Sequence, residues 1–166
     1  VTLGDDVTVT AATQTDADVT AWNIGVSPAS TGQVAFTGDG VDLSNDSVNF
    51  LVSGSLAGVA TLEDVFAGNM AAITTGATVT DNSFLYDFSL VDDTNNVDVA
   101  VTVANTIADT VENPGFAEAG EILLTGALSG SSDPEIILLQ SAIGSQSTQE
   151  GASKAIEAVT SPNIDG

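Results

Sequence analysis

The stretch that decides the fold runs Phe84-Leu85-Tyr86-Asp87-Phe88-Ser89-Leu90-Val91, and it continues, past Asp92-Asp93-Thr94-Asn95-Asn96, into Val97-Asp98-Val99-Ala100-Val101-Thr102-Val103. Phe84, Tyr86, Phe88 and Leu90 alternate with Leu85, Asp87, Ser89 and Val91. Val97, Val99, Val101 and Val103 alternate with Asp98, Ala100 and Thr102. A repeat of two places successive side chains on opposite faces, which is the signature of a half-buried strand. The polar residues between the two runs are turn formers. The pattern predicts an antiparallel hairpin over residues 84–103 with a loop of about four to five residues.

Toward the N-terminus the same alternation returns in shorter pieces: Val48, Phe50 and Val52 against Ser47, Asn49 and Ser53, and Val7 and Val9 against Asp6, Thr8 and Thr10. Turn signals separate them at Gly4-Asp5, Gly38-Asp39-Gly40, Ser44-Asn45-Asp46, Gly68-Asn69 and Asp81-Asn82. The spacing is too tight for helical crossovers, which leaves a β-sandwich or a β-solenoid. Small residues at the corners (Ala11-Ala12, Gly54, Gly58, Gly76) favour the solenoid. The expected fold is therefore mainly β: a parallel β-solenoid (β-helix) over residues 1–103 that ends in the hairpin.

Toward the C-terminus the composition changes near residue 104. Asp gives way to Glu, the only Lys (Lys154) appears, and all but one of the prolines lie there. Glu favours helix where Asp favours turns. Asn113-Pro114 and Asp133-Pro134 each place a capping side chain before a proline at the first helical position. Ser147-Thr148-Gln149-Glu150 has the form of a capping box with Ser147 as N-cap, and Gly144 suits a helix end. Ala152, Ala155, Ile156 and Val159 would share a face of the last helix, which stops at Ser161-Pro162. Residues 104–166 are thus expected as a short α-helical appendage.

The 166 residues carry 23 Asp and Glu against that one Lys, with no His and no Cys, for a net charge of −22. Arg is absent as well. There is then no Ser-His-Asp triad, no thiol nucleophile, no imidazole or thiolate zinc site and no arginine clamp for phosphate. A glycosidase carboxylate pair is conceivable, but the basic and imidazole groups that accompany acids in polysaccharide-cleaving β-helices are missing. The expectation is a protein that is not an enzyme. The charge repels nucleic acid and anionic lipid, so neither is an expected partner. Apolar residues make up 43% of the chain and charged residues only 14%, against roughly 25% in ordinary domains. Such a surface of Thr, Ser, Asn, Gly and Ala suits an extracellular protein in cation-rich water. No run approaches the roughly 18–20 apolar residues of a spanning helix, Ile136-Ile137-Leu138-Leu139 being the best, so direct membrane insertion is not expected of a helix here. The chain opens at Val1 in a strand-like pattern, as expected of a processed fragment whose export signal lay upstream.

Taken together, Val48-Asn49-Phe50-Leu51-Val52-Ser53-Gly54-Ser55-Leu56, Gly58-Val59-Ala60-Thr61-Leu62, residues 79–91 and Asn96-Val97-Asp98-Val99-Ala100-Val101 resemble the C-terminal, autochaperone-like end of autotransporter (type V secretion) passenger domains. The tail from Ala104, ending in Glu150-Gly151-Ala152 through Ser161-Pro162, resembles the helical linker that precedes the translocator barrel. The resemblance implies a β-helix end serving as stalk and folding nucleus, at the outer-membrane surface of a Gram-negative-type bacterium or released from it. The ending at Asn163-Ile164-Asp165-Gly166, where the family continues into a barrel, is the departure from the pattern.

Two acidic loops are candidate cation sites. Asp39, Asp42 and Asp46 offer oxygen ligands of the kind Ca²⁺ takes, although the spacing is not that of an EF-hand and a solvated turn is the more ordinary explanation. Asp92-Asp93 with Asn95-Asn96 is the second. No other cofactor is expected. Trp22, the only Trp, is either a core residue or an interface anchor. Val1, Leu3, Val7 and Val9 lie in a first strand with no Pro or Lys to block pairing. The expected function is a surface structural segment that joins head to tail into a homopolymeric fibre through residues 1–13. The alternative is a monomeric adhesin or stalk module that binds a glycan, a matrix component or a protein.

Overall fold

The computed structural model describes residues 1–5, 7–11 and 19–160. Its strands are β1 (Thr2–Leu3), β2 (Thr8–Ala11), β3 (Ala21–Val26), β4 (Gln33–Phe36), β5 (Ser47–Val52), β6 (Thr61–Ala67), β7 (Thr78–Asp81), β8 (Tyr86–Asp93) and β9 (Asn96–Val103). Its helices are α1 (Ile107–Thr110), α2 (Ala117–Leu124), α3 (Pro134–Gly144) and α4 (Gln149–Thr160).

Successive strands from β1 to β8 fall alternately into two sheets. The first has the order β1-β3-β5-β7 and the second β2-β4-β6-β9-β8. Every pairing in the first sheet is parallel, with Trp22 opposite Val48, Ile24 opposite Phe50 and Val48 opposite Val79. In the second sheet β2, β4 and β6 are parallel. Strand β9 then enters antiparallel to β6, and β8 lies antiparallel to β9. The period-2 pattern explains the core: Trp22, Ile24, Val26, Val48, Phe50 and Val52 face inward from one sheet, and Val34, Phe36, Phe66, Val97, Val99 and Phe88 from the other. Trp22 meets Phe36 and Phe66 edge-on, and Phe50 stacks on Phe88 with ring centroids 4.9 Å apart.

The outward face of the first sheet carries a polar ladder in register. Asn49 Nδ2 donates to Asn23 Oδ1 at 3.2 Å, Asn23 Nδ2 donates to Thr2 Oγ1 at 3.2 Å, and Thr80 Oγ1 donates to Asn49 Oδ1 at 3.0 Å. Strands sit this close because the corners are bare. A Cβ on Gly25 would come within 2.6 Å of the Asp5 backbone nitrogen, so the β1–β2 corner rests directly on β3.

The solenoid expectation does not hold. Among the described residues the architecture is mixed α/β, with a parallel four-stranded sheet, a mixed five-stranded sheet and four α-helices. Two physical facts account for the difference. Strand β9 reverses the direction of the second sheet, which spacing alone does not reveal. The helices also join the core instead of lying on it: Ile107, Val111, Leu123, Leu124, Ile143 and Ile156 belong to the same buried cluster as the strands. The hairpin turn is shorter than expected, since Asp93 already pairs with Asn96 and Thr94 turns the chain with φ +55°.

Specific bonds stitch helices to sheets. The Ser55 hydroxyl donates to the Leu124 carbonyl. The Gly54 N–H donates to Ser141 Oγ at 2.7 Å, and the Phe84 N–H to the Gln146 carbonyl at 2.6 Å. The Leu56 N–H donates to the Tyr86 hydroxyl at 3.2 Å, and burial pushes that phenol upward in pKa against the pull of its bonds to Ser55 and Leu56. Gln140 is buried and its Nε2 donates to the carbonyls of Leu123 (2.9 Å) and Leu128 (2.8 Å), tying α3 to the end of α2. Asp133 caps α3 through the Glu135 N–H. The cap of α4 is Thr148, whose hydroxyl accepts from the Gly151 N–H, one residue later than the Ser147 expectation. Gly144 serves by closeness: a Cβ there would lie 3.3 Å from the Gly54 carbonyl and from Val52.

Candidate functional site

Two features stand out from the folded core: the open strand edges and a group of carboxylates. Strands β1 and β2 are the outermost strands of their sheets at one end, and β7 and β8 at the other. Two antiparallel steps from β6 return β8 to the direction of β2, β4 and β6. All four edge strands therefore offer unpaired backbone groups in the sense that parallel addition requires.

The core is also incompletely covered at both ends. Val9 pairs with Val34 and faces inward with it, yet Val9 is 38% exposed and Val34 only 2%. At the opposite end Val79 and Leu90 face inward from β7 and β8 and are half-buried. The ends differ in charge. Neither β1 nor β2 contains an ionisable side chain, whereas β7 and β8 carry Asp81, Asp87, Asp92 and Asp93. Burial holds the Asp81 carboxyl above its ordinary value, with Asp87 adding to the effect and the Ser83 N–H opposing it.

The carboxylates gather on the outer face of the second sheet. Oxygens of Asp64, Asp93 and Asp98 lie within 4.8 Å of one another. A bulge in β6 between Leu62 and Phe66 creates the group by putting Asp64 in the left-handed region, φ +52°. The Asp64 N–H donates to Asp98 Oδ1 at 2.8 Å, and Asn96 Nδ2 donates to Asp64 Oδ1 at 2.7 Å. Asp98 itself is buried. Neighbouring Glu63 is held above the usual carboxylate range, first by the negative charge of Asp98, then by burial, its hydrogen bond to Asp98 and the charges of Asp64 and Asp93. Three carboxylates at this separation match the oxygen spacing a hard cation such as Ca²⁺ uses.

The residues singled out from the sequence are distributed differently. Asp39, Asp42 and Asp46 do not converge. Asp39 accepts from the Gly40 N–H, and Asp42 from the N–H and hydroxyl of Ser44, both as local turn bonds. Asp46 is buried and accepts from the Trp22 indole at 3.0 Å. That same bond places Trp22, 4% exposed, in the core and not on an interface. Leu3 is buried too, paired beside Ile24. Val1, Val7 and Val9 are exposed at the open end; Asp6, Ala12 and Thr13 lie outside the described residues. The second acidic loop contributes Asp93 and Asn96 to the carboxylate group. Asp64 and Asp98 are not among the expected ligands, although adjacent Glu63-Asp64 inside a strand pattern and Asp98 between two valines are the signals the sequence offers.

Among the described residues no helix is long and apolar enough to cross a membrane. Comparison with known protein families, curated proteins and solved structures finds no match.

Proposed function

We propose that the chain is a non-enzymatic structural segment of a bacterial surface protein, of the kind found at the end of autotransporter passengers, and that copies join end to end into a homopolymer. The observation that supports this is the agreement in direction of the four edge strands, two at each end, with inward-facing Val9, Val79 and Leu90 left partly uncovered. A contact that adds strands to both sheets satisfies backbone groups and covers these side chains together. A location outside the cell, on a Gram-negative-type surface, follows from the same resemblance and from the acidic, cysteine-free composition.

Analytical ultracentrifugation and negative-stain imaging of the purified chain, over a range of salt, test the proposal. Polymers that grow as salt screens the charge are expected. A chain that stays monomeric at high concentration and salt would overturn it. Two adjoining clefts, of ≈ 430 and ≈ 540 Å³, favour a ligand-binding module as the second reading. They share Asp5, Ser27, Pro28, Ala29 and Ser30. Glycan-array binding by a monomer would select it.

A further inference from the structure

The polar ladder on the first sheet points one way. Thr80 donates to Asn49, Asn49 to Asn23 and Asn23 to Thr2, at register positions that line up across β7, β5, β3 and β1. Each of these bonds is donated toward the β1 end. Thr2 thus receives a bond and keeps its own hydroxyl hydrogen to give, while Thr80 has given its hydrogen and keeps lone pairs to accept. The donor end and the acceptor end of one chain of hydrogen bonds lie at opposite ends of the molecule.

The second sheet carries the same polarity in its charge. Outward on β2 stand Thr8, whose hydroxyl donates to Gln33 Oε1 at 3.4 Å, and Thr10, whose hydroxyl is a donor; outward on β8 stand Asp87, Ser89, Val91 and Asp93. Hydroxyls beside carboxylates make favourable pairs, whereas carboxylates directly across from one another repel.

We infer that copies associate in one sense only: β1 and β2 of one molecule add, parallel, to β7 and β8 of the next, so that Thr2 donates to Thr80 and the ladder runs unbroken along the polymer. This rests on the assembly proposed above and specifies its interface. The two-fold alternatives fail on the same observations. Joining β8 to β8 opposes the Asp87 and Asp93 rows and brings together two Thr80 groups whose hydrogens are already used. Joining β2 to β2 leaves Val79 and Leu90 uncovered and closes at a dimer. The one-way contact is heterologous and propagates.

The absence of cysteine makes the test clean. Thr10→Cys and Val91→Cys variants, each first checked for a folded circular-dichroism spectrum, are assembled separately and together and treated with a short bismaleimide; the register that carries Thr10 through Ala35, Ala67 and Asn96 to Asp93 puts outward Val91 diagonally beside Thr10. Crosslinked dimer in the mixture, and in neither variant alone, is the expected result. Dimer from Thr10→Cys alone shows a β2–β2 contact, and dimer from Val91→Cys alone a β8–β8 contact; either overturns the inference while the assembly survives. Polymers in the ultracentrifuge without any crosslink overturn it equally. Monomers throughout overturn both the inference and the assembly. In a second arm, Thr2→Val is expected to lose most of the polymer that Thr2→Ser retains; equal polymer from the two would remove the ladder as the source of polarity.

Discussion

The seam where the helices meet the sheets and the outer face of β6, β9 and β8 treat polar groups in opposite ways. At the seam a buried hydroxyl, phenol or amide meets a backbone partner: Ser55 with Leu124, Tyr86 with Leu56, Gln140 with Leu123 and Leu128. Among the described residues no buried side-chain polar atom lacks a partner. On the outer face Asp64, Asp93 and Asp98 share space with Glu63, and one of them is buried. The contrast separates two uses of polarity. Neutral donors and acceptors fix helices against strands almost independently of conditions, whereas a group of like charges makes a local strain whose size depends on pH and salt.

Strand β8 belongs to both regions, so its two faces give the sharpest comparison. Its inner face holds Phe88, 8% exposed and stacked on Phe50. Phe88→Ala is expected to cost about 3–5 kcal/mol in denaturant melts, the largest effect among these changes. A loss below about 1 kcal/mol would show that the hairpin is not part of the core. At the seam, Gln140→Ala removes both bonds of a buried amide and leaves two carbonyls short of a donor. The expected cost is about 2–3 kcal/mol by the same melts, and an effect within about 0.5 kcal/mol would break the claim that neutral polar pairs fix the helices.

The outer face should respond with the opposite sign. The Glu63 carboxyl titrates above its ordinary value in the folded chain, so between the two values the folded chain holds a proton that the unfolded chain has released. Its contribution disfavours folding at neutral pH and is relieved as pH falls toward the ordinary carboxylate range, about pH 4–5. The melting temperature is expected to rise over that descent, and to rise less in Glu63→Gln. Parallel pH curves for the two proteins would contradict this account. The smallest change is Asp93→Asn, which removes one exposed charge from the group. It should stabilise by up to about 0.5 kcal/mol at low salt and by nothing measurable at 1 M salt, where screening acts within about 3 Å. A stabilisation that survives high salt would point to packing instead of repulsion.

How much of this was legible in the sequence differs between the same two regions. Alternation marks the inward faces well, because burial on one side of a strand writes itself into every second residue. It places Phe88, Val97, Val99 and Val101 correctly as a hydrophobic set. It cannot say which strands are neighbours, and so the insertion of β9 beside β6 and the resulting mixed sheet were invisible. Caps such as Asp133 are local and readable, but the burial of Ile143 and Ile156 against the sheets is not, since an amphipathic helix shows that it has a partner and not which one. The carboxylate group needed still more: a bulge that turns Asp64 outward and the pairing of β9 with both β6 and β8. No spacing rule joins residues 64, 93 and 98. Conversely, Asp39, Asp42 and Asp46 are close in sequence yet form no such group, each bonding to its own turn or to Trp22.

The reversed strand has a consequence for the order in which the chain can fold. Strand β6 is finished by Ala67, but its second neighbour, β9, begins at Asn96. A chain that becomes available from its N-terminus holds a half-built sheet whose last strand ends in Val65, Phe66 and Ala67 until the hairpin arrives. The hairpin is a local element able to form within microseconds, and its docking is the step that closes a long loop. The amide hydrogens of β9 that bond to β6 would then be the last to gain protection during refolding and, with a strand on each side of β9, the slowest to exchange once it is complete. The strand that sets its sheet's change of direction would also act as the latch on that sheet.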